Sequence, residues 1–261
     1  MKFVFLKGKY YLCGSITIIN NLNQKKFMKK LSTLLLLVLC VSVFKSNAQF
    51  LYDDYEGGMS VNFTYAPTWG SAKVIYDGVS ESESMDLNAL ALNFDYMSQI
   101  GSSPVFYSYG AGLRWTFRSE KESYEGVTLK SSLDFVTMRI PLNLALPIAI
   151  PSTSITIVPF AGFVPNFHFY GGETYKASYA GESVKESINY FSEDDMGDEK
   201  FNWFVLGWQA GARIEYSSFY LGLSYEGHIT NLYGYKEEYG GETYKERYNL
   251  GYFDISLGYK F

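Results

Sequence analysis

The sequence predicts an all-β fold: an eight-stranded, antiparallel, up-and-down transmembrane β-barrel. Three observations carry this. The chain ends in Phe253-Asp254-Ile255-Ser256-Leu257-Gly258-Tyr259-Lys260-Phe261, in which every odd position is bulky and apolar and every even one is polar or tiny. That period of two gives a strand one greasy face and one wet or crowded face. Aromatic residues make up 18% of the chain, 24 of them Tyr, as aromatic girdles at both membrane interfaces require. Alternating segments also recur along the chain, separated by connections that are long and short in turn. No apolar run reaches the roughly 20 residues of a spanning helix.

The first 48 residues stand apart. Met28-Lys29-Lys30 precede a short apolar run at 31–44, and Ser46-Asn47-Ala48 follow it. A charged start, a short apolar stretch and a small-x-small exit mark a cleaved secretory signal. The expected division is 1–48, extension and signal removed after Ala48, and 49–261, the barrel, with Met28 the natural start. Leu39 is not the small residue a lipidation site at Cys40 needs. Cys13 and Cys40 both fall in the removed segment, so the mature chain holds no thiol. Residues 1–48 hold eight Lys and no acid, leaving 14 basic against 27 acidic groups, a net of −13. Nucleic acid is therefore excluded as a partner.

Periodicity places strands at 58–66, 86–97, 105–118, 134–146, 154–168, 202–216, 219–231 and 250–261. The first opens at Gly57-Gly58-Met59-Ser60-Val61-Asn62. The second changes phase partway, as does the fifth, which suggests a bulge or a misplaced boundary. The third sets Val105, Tyr107, Tyr109, Leu113, Trp115 and Phe117 against Phe106, Ser108, Gly110, Gly112, Arg114 and Thr116. The fourth sets Val136, Met138, Ile140, Leu142, Leu144 and Leu146 against Thr137, Arg139, Pro141, Asn143 and Ala145, with a bulge expected at Pro141 because proline cannot donate to a ladder. Pro159 and Pro165 raise the same issue in the fifth. The sixth sets Phe204, Leu206, Trp208, Ile214 and Tyr216 against Gln209, Gly211, Arg213 and Glu215; the seventh sets Phe219, Leu221, Leu223, Tyr225 and Ile229 against Ser224, Glu226 and His228. The eighth is the terminal strand, whose Phe253, Ile255, Leu257, Tyr259 and Phe261 resemble the terminal strand of outer-membrane β-barrels, which their assembly machinery reads.

An eight-strand barrel has an interior just wide enough for side chains to fill. The bulky faces carry too many rings to share it, so rings face lipid and small and charged groups face inward. Connections of about 19, 7, 15, 7, 33, 2 and 18 residues alternate strictly, as short periplasmic turns and long external loops do.

Arg139-Ile140-Pro141-Leu142, Phe160-Ala161-Gly162, Ala210-Gly211-Ala212-Arg213-Ile214-Glu215-Tyr216 and Leu223-Ser224-Tyr225-Glu226-Gly227, with the terminal strand, resemble the porin-family outer-membrane β-barrel proteins of the Bacteroidota, the PorT-like group. The resemblance covers nearly all of the mature chain and implies a small integral barrel in a Gram-negative cell envelope. One branch of that group is linked to protein secretion and gliding; no residue here carries that role over.

Arg114, Arg139, Arg213, Glu215, Glu226, Asp254 and Asp95 are the inward charges. Buried ions must pair, so a lumen salt-bridge network that closes the barrel is expected over an ion path. His168 and His228 are the only histidines. His228 shares a face with Ser224 and Glu226, but that face points away from lipid, so no enzyme is expected. Two distant His and no Cys support no metal, and no cofactor is expected. The acidic run Glu193-Asp194-Asp195-Met196-Gly197-Asp198-Glu199 lacks the ligand pattern of a calcium hand and reads as a solvated loop, with loose divalent-cation binding beside lipopolysaccharide the alternative. The heptapeptide Tyr170-Gly171-Gly172-Glu173-Thr174-Tyr175-Lys176 recurs as Tyr239-Gly240-Gly241-Glu242-Thr243-Tyr244-Lys245. Gly-Gly among strand formers reads as a hairpin turn, either in a β-ribbon extending above the membrane or in a Tyr-rich surface for a protein or glycan, with Tyr175 and Tyr244 the candidate contacts.

The functional expectation is a non-enzymatic outer-membrane barrel with a closed lumen, structural or adhesive, or associated with envelope assembly or secretion through its external loops. Its surroundings would be outer-membrane lipid and lipopolysaccharide. A narrow pore for small solutes is the alternative.

Overall fold

The structure, a computed structural model, describes residues 55–76, 79–124, 127–179, 182–196, 200–239 and 242–261. The signal segment, Met28, Ala48, Cys13 and Cys40 lie outside these residues. The described chain forms β1 (Gly58–Tyr76), β2 (Val79–Gln99), β3 (Phe106–Tyr124), β4 (Val127–Arg139), β5 (Leu142–Ala145), β6 (Ile148–Ala149), β7 (Ile155–Tyr179), β8 (Glu182–Asn189), α1 (Glu193–Met196), β9 (Phe204–Tyr216), β10 (Phe219–His228), β11 (Tyr233–Tyr239) and β12 (Glu242–Lys260).

The sheet runs β1-β2-β3-β4-β7-β9-β10-β12, and β12 pairs back onto β1, which closes the ring. β5 and β6 continue the crossing that β4 begins, both pairing with β7. Eight crossings, every pairing antiparallel, make the predicted barrel. Closure runs through the terminal strand: Ser60 to Tyr65 face Lys260 to Ile255, and the Phe261 N–H donates to the Met59 carbonyl at 2.9 Å.

The two faces sort as expected. Phe63, Leu92, Phe94, Leu113, Trp115, Leu144, Phe163, Trp208, Leu221 and Leu257 stand exposed on the wall, while Thr64, Asn93, Arg114, Thr137, Gln209 and Glu226 are buried inside. One part of the expectation fails. The interior also holds large apolar groups, among them Leu87, Met97, Phe106, Phe135, Leu250 and Tyr252. They collect toward the two ends of the bore, where they can pack on one another. β2 keeps one phase throughout, because Leu87 and Met97 point inward in register with Ala89, Ala91 and Asn93.

The prolines behave differently from expectation. The ladder simply breaks at Pro141, between β4 and β5, and is bridged by Gly110 N–H to the Pro141 carbonyl at 3.1 Å. The bulge lies instead between Val136 and Thr137, which pair with Tyr170 and His168 and leave Phe169 over. Pro159 and Pro165 stay within β7, opposite Ala212 and Leu206, and their carbonyls accept from Leu146 and Ile140.

The short connections are short: two residues, Ser217 and Ser218, join β9 to β10, with Ser217 at φ 55°. The long ones are not open loops. β2 and β3 pair only up to Asn88 and Phe117, yet β2 begins at Val79 and β3 runs to Tyr124. β9 and β10 stop at the rim. Beyond it the ring divides into two four-stranded arms, β2-β1-β12-β11 and β3-β4-β7-β8. The first copy of the repeat lies within the second arm, in β7. Gly171 and Gly172 lie inside β7, opposite Phe135 and Asp134, and not at a hairpin turn; Gly240 and Gly241, where the second turn is expected, lie outside the described residues. A Cβ on Gly171 would sit 2.4 Å from the Phe135 ring and 2.5 Å from Phe191, so close packing, not a turn, requires that glycine.

Candidate functional site

Inward register brings six polar side chains from six crossings to one level of the bore. Arg114 comes from β3, Arg139 from β4, Asn166 from β7, Gln209 from β9, Glu226 from β10 and Asp254 from β12. Arg114 donates through Nη1 to Glu226 Oε2 at 2.9 Å and through Nη2 to both Asp254 oxygens at 2.8 and 2.9 Å. Arg139 Nη2 donates to the same Glu226 Oε2 at 2.7 Å and to Gln209 Oε1 at 2.8 Å. Its Nη1 lies 3.4 Å from Asp254 Oδ2. Asn166 Nδ2 occupies the other Glu226 oxygen at 2.9 Å. Two cations face two anions, so the level is neutral. Glu226 is 0% exposed and Arg114 1%. Arg114 also lies flat on Tyr252, its guanidinium carbon 3.9 Å from the ring centre, a cation–π contact that strengthens away from water.

The charges expected to form one network form two. Arg213 and Glu215 sit toward the end with the short turns, where they pair at 2.6 Å. Lys260 reaches the second Glu215 oxygen at 3.1 Å. Tyr55 donates to Glu215 Oε1 at 3.0 Å and accepts from Arg213 Nη2 at 3.2 Å. Strand geometry explains the separation: Arg213 lies four residues from Gln209 on the same face, roughly 13 Å along the strand at 3.3 Å per residue. Asp95 joins neither cluster by an ion pair among the described residues and accepts from Asn62 Nδ2 at 2.8 Å. Between the two clusters lies a polar cavity of about 70 Å³, lined by Asn62, Asp95, Asn143, Gln209 and Ser224 among others. That volume accommodates ordered water.

At the arm end, Tyr190, Phe191 and Phe201, between β8 and β9, pack against the buried apolar cluster of the bore. Tyr190 and Phe201 stack at 4.7 Å, Phe135 stacks on both at 6.2 and 6.4 Å, and Phe191 stacks on His168 at 5.9 Å. Backbone bonds hold this segment: Tyr190 N–H to Gly171, Phe201 N–H to Tyr190 and Asn202 N–H to Leu232, each at 2.8 Å. On its outer edge Lys200 holds the exposed Glu193 carboxyl below the usual carboxylate range through a hydrogen bond.

The two histidines are not distant. Their ring centres lie 6.3 Å apart, because β7 and β10 bring them to one level of the bore. His168 Nδ1 meets Thr137 Oγ1 at 2.8 Å, and His228 Nδ1 accepts from Leu250 N–H at 3.3 Å. Glu226 is committed to Arg114, Arg139 and Asn166 rather than to His228. Among the described residues no group of three or more His, Cys, Asp or Glu is placed to hold a metal ion.

Sequence reasoning missed Asn166, Gln209, Asn62, Tyr55 and Lys260. For the first three the signal was available: an amide at an inward position has to be satisfied by a partner across the bore. Tyr175 and Tyr244 lie on different arms, Tyr175 opposite Ser131 and Glu186, Tyr244 opposite Tyr76 and Glu237. Both continue the inward register of their strands.

Fold and interior together define a closed antiparallel β-barrel with an apolar wall, a charge-paired bore and two β-arms. No protein-family model matches the chain, and no curated protein does. Several solved barrels are similar in fold. Ail, the attachment invasion locus protein of Yersinia pestis, solved with the heparin analogue sucrose octasulfate, shares 14% identity over 77% of this chain and 99% of that one, at TM-score 0.31. Neisserial surface protein A shares 10% over 79% and 100%, at 0.35. The translocator domain of the autotransporter NalP from Neisseria meningitidis shares 11% over 88% and 98%, at 0.36. Likeness at this level bears on no functional residue.

Proposed function

We propose that this chain is an exported outer-membrane barrel of the PorT-like, porin-family group, with a closed lumen and a non-enzymatic role. Its task is structural or adhesive, or lies in envelope assembly or secretion, and is performed by the two arms. The observation that supports this reading is the neutral cluster of Arg114, Arg139, Glu226 and Asp254, each 5% exposed or less. Ions so buried and mutually paired serve the barrel rather than a passing solute. Assembly machinery would read the terminal strand, and an envelope protein or glycan would meet Tyr175 and Tyr244.

The polar cavity of about 70 Å³ beside Asp95 and Arg213 favours a second reading, a narrow pore for small solutes. Single-channel recording of the refolded protein in planar bilayers separates the two. Long quiet traces are the expected result; reproducible unitary steps would overturn the closed lumen. Fractionation tests the location: the protein should float with outer membranes and shift on gels between unboiled and boiled samples.

A further inference from the structure

The β3-β4-β7-β8 arm carries an ordered charge pattern. Lys121 lies opposite Lys130, Lys130 opposite Lys176, and Lys176 opposite Lys185, so four lysines form one row across four strands. All four are exposed, and none makes a salt bridge among the described residues. Two residues to one side runs a row of hydroxyls, Ser119, Ser132, Thr174 and Ser187; two residues to the other side runs a second, Ser123, Thr128, Ser178 and Ser183. Side chains two apart share a face. One face thus presents twelve positions in three rows, four ammonium groups between eight hydroxyls, with no acid among them.

The described acids of this arm's strands, Asp134 excepted, lie on the reverse face. Glu120 and Glu186 flank Ser131 and Tyr175 there, and Glu122 faces Leu129. On the lysine face the next row toward the barrel holds Asp134, which accepts from Trp115 Nε1 at 2.9 Å. Like charges directly opposite destabilise a sheet, and neighbouring strands stand only about 4.8 Å apart. A chain with a surplus of acids has nonetheless placed four lysines in register, with every described strand carboxylate of the arm but Asp134 behind them.

The height of the row selects the ligand. The lysine face continues the face of Trp115, which stands exposed on the barrel wall. Lys121 lies four residues beyond Phe117, roughly 13 Å along the strand and about 10 Å along the axis of a barrel tilted near 40°. That is the headgroup layer just outside the hydrocarbon. Whatever flanks the wall at that level is the sugar and phosphate of the surrounding outer-leaflet glycolipid. Lysine binds phosphate as a compact point charge, and hydroxyls beside it complete the hydrogen bonds. We propose that the lysine and hydroxyl rows of this arm are a binding site for phosphate groups of the adjacent lipopolysaccharide, taking the place of the divalent cations that otherwise bridge them. This rests on the outer-membrane reading above.

The test uses the folded protein purified from membranes in detergent. Three forms are compared: wild type; K121S, K130S, K176S and K185S combined; and the same four positions changed to Arg. Each is titrated with deep-rough lipopolysaccharide, with the same material dephosphorylated, and with soluble inorganic polyphosphate, and binding is read by native mass spectrometry. The Ser variant should lose roughly six hundredfold in affinity for the phosphorylated glycolipid, since each of the four basic residues at an anionic surface is worth roughly a factor of five. Dephosphorylation should cause a similar loss in wild type, added salt should weaken the binding, and the Arg variant should stay near wild type. Equal binding by the Ser variant, indifference to dephosphorylation, or preference for polyphosphate over glycolipid would overturn the proposal. Gel mobility before and after boiling reports folding; if the fourfold variant misfolds, K176S with K185S should still show a loss of roughly twenty-five-fold, and none would overturn the site. Recovery of wild type in the soluble fraction would overturn the membrane reading itself.

Discussion

Glu226→Ala removes the acceptor that three side chains share. Arg114 loses its 2.9 Å bond, Arg139 its 2.7 Å bond and Asn166 its 2.9 Å bond. Arg114 keeps both Asp254 oxygens. Arg139 keeps Gln209 at 2.8 Å and a distant Asp254 at 3.4 Å. Two cations then face one anion, and one positive charge is left uncompensated at a level with almost no solvent contact. Stranding one partner of a buried pair costs about 3–5 kcal/mol, a factor of roughly 150 to several thousand in the folding equilibrium. The assay is urea unfolding of the barrel refolded in lipid vesicles, followed by tryptophan fluorescence and by the gel shift. Glu226→Gln keeps volume and the Asn166 contact and should fall between wild type and Ala. Glu226→Leu with Arg139→Met removes one charge of each sign, leaves Arg114 with Asp254, and should recover more than half of the loss, since the interaction is mutual. An Ala variant within about 0.5 kcal/mol of wild type, or a double variant worse than both singles together, would refute the view that these four charges act as one neutral unit.

Other perturbations probe other levels. Gly162→Ala would place a Cβ 2.0 Å from the Leu142 carbonyl and 2.7 Å from Asn143 Cα; the obstacle is backbone, so a loss of about 1–3 kcal/mol is expected in the same unfolding assay. Phe135→Ala empties the centre of the arm-end aromatic cluster and should cost about 3–5 kcal/mol, with a lower melting temperature by circular dichroism. Deleting Phe261 removes the N–H that closes onto Met59 at 2.9 Å together with the terminal aromatic; the heat-modifiable fraction in cell membranes should drop severalfold. Tyr175→Ser with Tyr244→Ser should leave unfolding within about 1 kcal/mol of wild type while abolishing in-cell crosslinks formed from the arms.

The sequence by itself determined the number of crossings, the closing strand and the face each crossing turns outward. Those follow from a period of two read over segments such as 105–118 and 204–216, a local property of the chain. It also named the inward charges, because inward parity is local. What it left undecided was which inward groups meet. Arg114 and Glu226 are 112 residues apart, and their pairing depends on the stagger between strands around the ring. Arg213 and Glu215 have the right parity too, yet that same stagger puts them at another level beside Tyr55 and Lys260. The bulge beside Phe169 and the proximity of His168 to His228 are likewise matters of register. The long connections misled for a physical reason: their strands are polar on both faces, so no apolar alternation announces them. Only pairing across four strands reveals that Lys121, Lys130, Lys176 and Lys185 stand in one line.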